Sequence, residues 1–590
     1  MNVDALLTLA LTLGCLLLLI FTRLAASMVF GGAMILLLVF GILPVNDAVA
    51  GFSNPGLLTI AALYVVACGL QQTGAIQVLA SHAFGRTRSV PVGQLRVMAP
   101  VMFMSAFMNN TPIVATFVPA VLDWTRKCRM SASKFLIPLS YAAILGGTCT
   151  LIGTSTNLVV NGMLLETGER GFAFFELAWL GIPSAAIGLA YVLVFTRRLL
   201  PERVPAVTRF EDPREYTVEM QVADGPLVGK SIEEAGLRQL PGLFLIEIER
   251  DGAIMPAVHP EERLRSGDHL VFAGVTESIA DLQKINGLVP ATSQVFKLSQ
   301  ERAERTLIEA VVSRTASIVG KTIKEARFRN LYNAVVIAVA RDGRRINRKI
   351  GSIRLRPGDM LLLESDRGFA ERHRNSRDFL LLKPLDGAAT YRHRKAGLAW
   401  LILAGVVGTA TSGIFDMLTA ALSGAALMVL TRCCTGSDAR RSIDMEVLVV
   451  IGAAFALGEA MFATGAAEAI AGAMLAVTGH HPFAVLAVVY FTTVLMTEMI
   501  TNNAAAVLMF PLAYSVSGAM GLDFMPFAIA ITFAASASFA TPIGYQTNLM
   551  VYGPGGYHFT DYIRFGLPLN ILLGMTALSI IPAVWPLQAT

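Results

Sequence analysis

The chain has 590 residues, of which 54% are hydrophobic and only 15% charged, with a net charge of +5 and a mean hydropathy of +0.60. That balance excludes an ordinary soluble globular protein and a basic nucleic-acid-binding domain; it points to an integral membrane protein carrying some soluble sequence. The cysteines (Cys15, Cys68, Cys128, Cys149, Cys433, Cys434) include no spaced pair of the zinc or disulfide kind, which argues against a structural-metal or redox role.

The amino-terminal MNVDALLTLALTLGCLLLLIF lacks a basic lead and a small-residue cleavage site and is followed at once by a second apolar span, so it reads as a retained transmembrane helix. Runs long enough to cross a bilayer fall at about 5–22, 24–43, 54–72, 134–163 and 174–199. The run at about 95–122 holds Pro100, Asn109, Asn110, Pro112 and Pro119. This predicts a re-entrant hairpin with Asn109-Asn110-Thr111 at its tip, because irregular backbone at membrane depth survives only where protein or water surrounds it. Gly146, Gly147, Gly153 and Thr154-Ser155-Thr156-Asn157 predict that the run 134–163 is one helix broken in two.

From about 200 to 395 the pattern turns charged and soluble, and it repeats internally at an offset of 91: LVGKSIEEAGLRQLPGLFLIEIERDG from Leu227 matches IVGKTIKEARFRNLYNAVVIAVARDG from Ile318. Each unit reads as strand, short helix, strand, Asp-Gly hairpin and a further strand after a Gly-Asp turn, giving two small α+β domains at 205–295 and 300–392. Gly229-Lys230-Ser231 and Gly320-Lys321-Thr322 are not phosphate loops, since the position of that loop's first glycine holds Asp224 and Thr315. No dinucleotide fingerprint occurs, so no nucleotide cofactor is expected.

After residue 395 the first half's order returns: spans at about 397–412, 415–431 and 446–463, a hairpin at 483–513, a broken helix at 525–553 and a last helix at 561–585. MNNTPIVATFVP from Met108 corresponds to ITNNAAAVLMFP from Ile500 at an offset of 392, and IGTSTNLVVNG from Ile152 to IGYQTNLMVYG from Ile543 at 391. Thr73-Gly74 pairs with Thr464-Gly465, and a Gly181-Ile182-Pro183 turn with Gly566-Leu567-Pro568. An odd number of crossings per half makes this an inverted repeat (residues 1–200 and 396–590), the organisation of secondary transporters whose sites lie at broken helices near the midplane. Arg23, Arg86, Arg88, Arg96, Arg126, Lys127, Arg129, Lys134, Arg432, Arg440 and Arg441 fall on one side, which the positive-inside rule makes cytoplasmic. Both termini are then expected outside, with the central domains in the cytoplasm of an inner-membrane protein.

Uncharged carboxamides and hydroxyls at matching places in two halves suggest a shared cavity at the repeat interface. Their oxygens suit a small hard cation, while half-helix amino ends suit an anion, so one site can hold both. Glu459 and Glu498 are intramembrane carboxylates and candidates for a proton or cation ligand. His480-His481 reads as an interfacial turn, and the Asn109 glycosylation sequon is excluded by its depth.

At these residues the chain resembles the divalent-anion/sodium symporter family of the ion-transporter superfamily, whose two Ser-Asn-Thr motifs stand here as Asn109-Asn110-Thr111 and Thr501-Asn502-Asn503. The resemblance implies sodium sites from Ser105, Asn109, Asn110 and Gly153 and from Thr497, Thr501, Asn502 and Gly544. It implies an anion site from Asn110, Thr111, Thr154, Thr156, Asn157, Asn502, Asn503, Thr547 and Asn548. The family's Thr-Pro-Pro-Asn is replaced by Thr154-Ser155-Thr156-Asn157 and Tyr545-Gln546-Thr547-Asn548, a departure that bears on substrate and pocket size. The central units resemble TrkA-C domains of potassium-conductance regulators, found paired in bacterial and algal permeases of this family, several of them linked to sulfate. By this resemblance the protein is a homodimeric elevator carrying Na⁺ with sulfate or a dicarboxylate. Its central domains bind a small regulator, such as a cyclic dinucleotide, or strengthen the dimer. The rival readings are a proton-coupled or arsenite-type carrier using Glu459 or Glu498, and a ligand-gated channel, for which no filter such as TVGYG is present.

Overall fold

The structure is a computed structural model. It describes residues 2–588 except 23, 77–84, 86, 88, 129, 204–216, 238–239, 241–242, 251–252, 257–258, 260, 275–284, 291–304, 315, 342–343, 347, 349, 367, 374–375, 377, 385–394 and 480. Arg23, Arg86, Arg88, Arg129, Thr315, His480 and both Asp-Gly turns therefore lie outside the described residues. The chain divides into a helical unit (Met1–Glu202, Thr390–Val551 and His558–Thr590) and a second unit (Arg203–Ala389 with Tyr552–Tyr557).

Among the described residues, seven helices of the helical unit are long and apolar enough to span a membrane, and shorter apolar helices include Ala26–Val39, Ala396–Thr411 and Met417–Leu430. Val3, Leu6, Leu13 and Phe21 of the first helix are exposed although all are apolar. Such a surface is stable when hydrocarbon is the solvent and the helix satisfies its own backbone. The helix Pro55–Gln72 starts where expected because Asn54 accepts from the Gly56 amide at 2.8 Å and proline occupies its first position.

The two halves share an order of elements. Helices Val90–Ser105 and Asn110–Cys128 form one hairpin, and Pro482–Met499 and Asn502–Met520 the other. Each hairpin is followed by an interrupted helix: Ser133–Gly147 with Ser155–Glu166, then Met525–Ser536 with Gln546–Tyr552. Thr73-Gly74 and Thr464-Gly465 match in conformation, with the glycines at φ 69° and 75°, where a side chain would be strained.

Three sequence expectations are corrected. Gly181-Ile182-Pro183 and Gly566-Leu567-Pro568 are not turns but lie inside Ala178–Leu199 and Phe559–Val584. Their glycines allow close packing on the helix breaks: a Cβ on Gly181 would stand 2.8 Å from Thr148 O, and one on Gly566 would run into Phe539 O. The Asn-Asn-Thr motif does not sit in the hairpin turn as a whole, because Asn110 and Thr111 already form the first turn of the returning helix. An additional helix, Ala466–Thr478, precedes the second hairpin.

Among the described residues, the second unit holds two antiparallel five-stranded sheets. The first comprises β1 (Thr217–Val222), β2 (Leu243–Arg250), β3 (Ala253–Pro256), β4 (His269–Gly274) and β5 (Leu288–Pro290), ordered β3-β2-β4-β1-β5. The second comprises β6 (Arg305–Val312), β7 (Val335–Arg341), β8 (Arg344–Arg345), β9 (Met360–Asp366) and β10 (Phe379–Pro384), ordered β10-β6-β9-β7-β8, the same topology strand for strand. The expected short helix is present in the second repeat as Phe328–Tyr332; three of its five register mates in the first repeat, 237–241, lie outside the described residues. Gly229 and Gly320 take φ 84° and 79°, so the Gly-Lys-Ser/Thr pattern encodes a left-handed turn, followed by a capping box in which Glu234 and Glu325 accept from the Ser231 and Thr322 amides at 2.9 and 2.8 Å.

Candidate functional site

Ser105 closes the first helix of the first hairpin, and Thr497 lies in the last turn of its counterpart. Ser105 Oγ donates to Ala143 O at 2.7 Å, and Thr497 Oγ1 donates to Ala535 O at 2.7 Å. Both bonds tie a hairpin to the interrupted helix that follows it.

At each interruption a buried asparagine takes up the carbonyls that the break frees. Asn157 Nδ2 donates to Gly147 O at 3.1 Å and Thr150 O at 2.7 Å; Asn548 Nδ2 donates to Ser538 O at 2.8 Å and Thr541 O at 3.2 Å. Thr150 Oγ1 reaches back to Ala106 O, and the single hydroxyl proton of Thr541 goes to Glu498 O at 3.1 Å or to Glu498 Oε2 at 2.7 Å. Donor and acceptor correspond at an offset of 391 or 392 throughout, so the repeat extends to individual hydrogen bonds.

Two glycines sit in oxygen-lined cradles. A Cβ on Gly153 would press on Gly147 O and stand 2.8 Å from Ser105 O; a Cβ on Gly544 would press on Ser538 Oγ and stand 2.8 Å from Thr497 O. Asn110 Oδ1, which accepts from Ser105 Oγ, lies 2.8 Å from where a Gly147 Cβ would be. Hydroxyl, carboxamide and carbonyl oxygens around a residue with no side chain are the donor set a small hard cation takes. Among the described residues, no group of three or more His, Cys, Asp or Glu is placed to hold a metal.

The halves meet through the residues expected to bind the anion. Asn110 Nδ2 donates to Tyr545 Oη at 2.7 Å, and that hydroxyl is 3.1 Å from Thr154 Oγ1. Thr111 Oγ1 donates to Gln546 Oε1 at 3.1 Å; its repeat mate, Asn503, accepts at Oδ1 from Ser155 at 3.0 Å and Thr156 at 3.2 Å. Asn502 Nδ2 donates to Thr156 Oγ1 at 2.9 Å, and Ser140 Oγ donates to Thr547 Oγ1 at 2.8 Å or to Asn548 Oδ1 at 2.7 Å. Helices beginning at Asn110, Ser155 and Asn502 thus bring their amino ends to one network, an electrostatic setting for an anion. Asn109 lines a small cleft together with Tyr64, Met108 and Ser155, while Thr501 is exposed and accepts from the Ala504 amide at 3.4 Å.

Sequence reasoning missed the bridging roles of Ser140, Tyr545 and Gln546. The signal was there for Tyr545, which is the register mate of Thr154. Of the two intramembrane acids, Glu459 is exposed and Glu498 is buried at the second break.

Comparison with known proteins identifies the family. A citrate transporter family profile matches residues 16–532. A protein of Chlamydomonas reinhardtii named for a sulfur deprivation response is 36% identical over 561 residues, covering 92% of this chain and 96% of its own length. A transporter of Synechocystis sp. is 33% identical over 573 residues, covering 94% and 93%. Sodium/sulfate cotransporter 1 of C. reinhardtii is 28% identical over 748 residues, covering 91% and 84%. The chain is a multi-pass anion transporter rather than an enzyme, and it belongs to the citrate transporter family.

Proposed function

We propose that the protein is a sodium-coupled symporter that takes up a small divalent anion, sulfate before a dicarboxylate. The observation that carries this reading is the matched pair of cradles, Ser105 with Gly153 and Thr497 with Gly544, each pinned by a 2.7 Å bond to the interrupted helix. Ser105, Asn109, Asn110 and Gly153 hold one sodium ion, and Thr497, Thr501, Asn502 and Gly544 the second. The anion lies between them, bound by the carboxamides and hydroxyls of Asn110, Thr111, Thr154, Thr156, Asn157, Asn502, Asn503, Thr547 and Asn548 and by the helix amino ends. With two cations flanking it, a dianion needs no Arg or Lys in the site. Sulfate is favoured because several relatives are named as sodium/sulfate cotransporters.

The hairpins are re-entrant, the halves are inverted in the membrane, and each hairpin moves with its interrupted helix as the carrier of an elevator. The unit 203–389 is cytoplasmic, a pair of TrkA-C-like domains that bind a small regulator, in a homodimer of the inner membrane with both termini outside. A second reading, a proton-coupled carrier of the same superfamily, is favoured by the buried Glu498. Uptake of radiolabelled sulfate into proteoliposomes under separate Na⁺ and pH gradients decides. Accumulation driven by inward Na⁺ and competed by thiosulfate is expected; accumulation driven by the pH gradient alone, or none for sulfate, overturns the reading.

A further inference from the structure

The two cradles correspond in backbone but differ in charge at one position. Ala106 follows Ser105, whereas Glu498 follows Thr497. Glu498 is 9% exposed, and its carboxylate accepts four hydrogen bonds. Oε1 accepts from the Ala540 amide and from Asn570 Nδ2, each at 2.8 Å; Oε2 accepts from Thr541 Oγ1 at 2.7 Å and Ser538 Oγ at 3.2 Å. All four of these donors are neutral. In the first half the mates of Glu498 and Ser538 are Ala106 and Gly147, so neither the acid nor the Ser538 hydroxyl has a counterpart there, while Thr541 keeps one in Thr150.

Asn570, 5% exposed, gives its amide N–H to Glu498 and leaves its own Oδ1 buried without a hydrogen-bond partner. An orphaned carbonyl costs stability, and orienting the carboxylate is what the N–H obtains in exchange. A negative charge removed from water and held only by neutral donors lacks a compensating cation. Ser538 Oγ, on which a Cβ at Gly544 would press, donates to Glu498 Oε2 at 3.2 Å, so the carboxylate stands directly behind the second cradle.

We infer that Glu498 is the built-in counter-charge of the second cation site, which makes the two sites unequal. The site of Thr497, Asn502 and Gly544 binds its cation more tightly and fills first; the neutral site of Ser105, Asn110 and Gly153 fills second. Because Glu498 also holds the Ala540 amide and the Thr541 hydroxyl, occupancy of that site fixes the break that positions Tyr545. Glu498 is a positioning residue that acts through charge, and this inference rests on the sodium-coupled reading.

The test is a sodium titration of the purified full-length protein by thermal shift, repeated as the sodium dependence of sulfate uptake, with K⁺ as the control. In Glu498→Gln the sodium midpoint is expected to rise about tenfold or more, with the Hill coefficient of uptake falling toward one. Asn570→Ala keeps the charge and removes one donor, and its midpoint is expected to stay within about threefold of wild type. Glu498→Ser supplies the same charge deletion should the glutamine variant not assemble. A charge-deleted variant with the wild-type midpoint overturns the inference, as does Asn570→Ala shifting it as far as Glu498→Gln, which would reduce Glu498 to a brace for the break. A wild type with no sodium response sinks the coupling reading itself, and this inference with it.

Discussion

Single atoms decide the chemistry at the cradles, and Gly153 is the plainest case. A methyl group there would be driven into the Gly147 carbonyl and to 2.8 Å from the Ser105 carbonyl, both main-chain atoms that cannot swing aside. The space it would fill is the space a cation between those oxygens needs. Gly153→Ala is therefore expected to weaken sodium binding by at least about tenfold, or roughly 1.4 kcal/mol. Its overpacking should add a stability loss of about 1–3 kcal/mol. Gly32→Ala, with nothing within 4 Å, is the matched control and should do neither. A Gly153→Ala protein with the control's sodium midpoint would mean the cradle is a packing site and not a cation site. The same logic explains why these glycines were legible in the sequence: each stands beside a polar cluster in an apolar run, where flexibility alone gives little reason for glycine.

At the scale of elements, the soluble sheets show how a repeat preserves a buried ion pair. Arg341 Nε and Nη2 grip Asp359 Oδ1 and Oδ2 at 2.7 Å each, as Arg250 grips Asp268 at 2.8 Å, and both acids are 1% exposed. Burial pushes the Asp359 carboxyl above its ordinary value despite the pull of Arg341. Removing Arg341 leaves that acid buried and unpaired, at a cost of about 3–5 kcal/mol. An acid with a raised folded-state pKa binds its proton more readily when folded, so its stabilising contribution is present below the unfolded value and fades as pH rises through the folded one. Arg341→Met should therefore open β7 and β9 to hydrogen exchange, measured on the intact protein, and more so at pH about 7 than at about 5. Equal opening at both pH values would show that the carboxyl is not the source of the penalty. The Gly-Asp turns and the offset of 91 made these domains readable beforehand. The fifth strands, β5 and β10, were not, because three to six residues after a long connection carry too little periodicity to stand out. The hairpins were readable from their prolines, whereas Ala466–Thr478 was missed because its alanine-rich run is too short to cross a bilayer.

Over the whole molecule, the half-repeat marked which polar residues meet between the halves but not how the halves interlock. Composition and spacing put Asn110 and Asn502 at matching positions; that Tyr545 crosses to Asn110 while Asn503 receives Ser155 and Thr156 is a product of tertiary packing, visible only once the interrupted helices are placed. Every residue of that network lies in the helical unit, and none in the unit Arg203–Ala389. Domains with their own cores can in general be removed without unfolding their neighbours, and the two sheets have separate hydrophobic clusters, one around Leu270 and Phe272 and the other around Leu361 and Phe369. Replacing residues 205–392 with a flexible Gly/Ser linker is therefore expected to leave sodium-driven sulfate uptake within about threefold of wild type at saturating substrate, with any response to a small regulator abolished. Uptake in proteoliposomes, together with the oligomeric mass of the purified variant, checks both halves of the statement. Loss of transport with the oligomer intact would place the central unit inside the transport cycle, while loss of the oligomer would make it a brace between protomers. In either case, regulation would no longer be its first role.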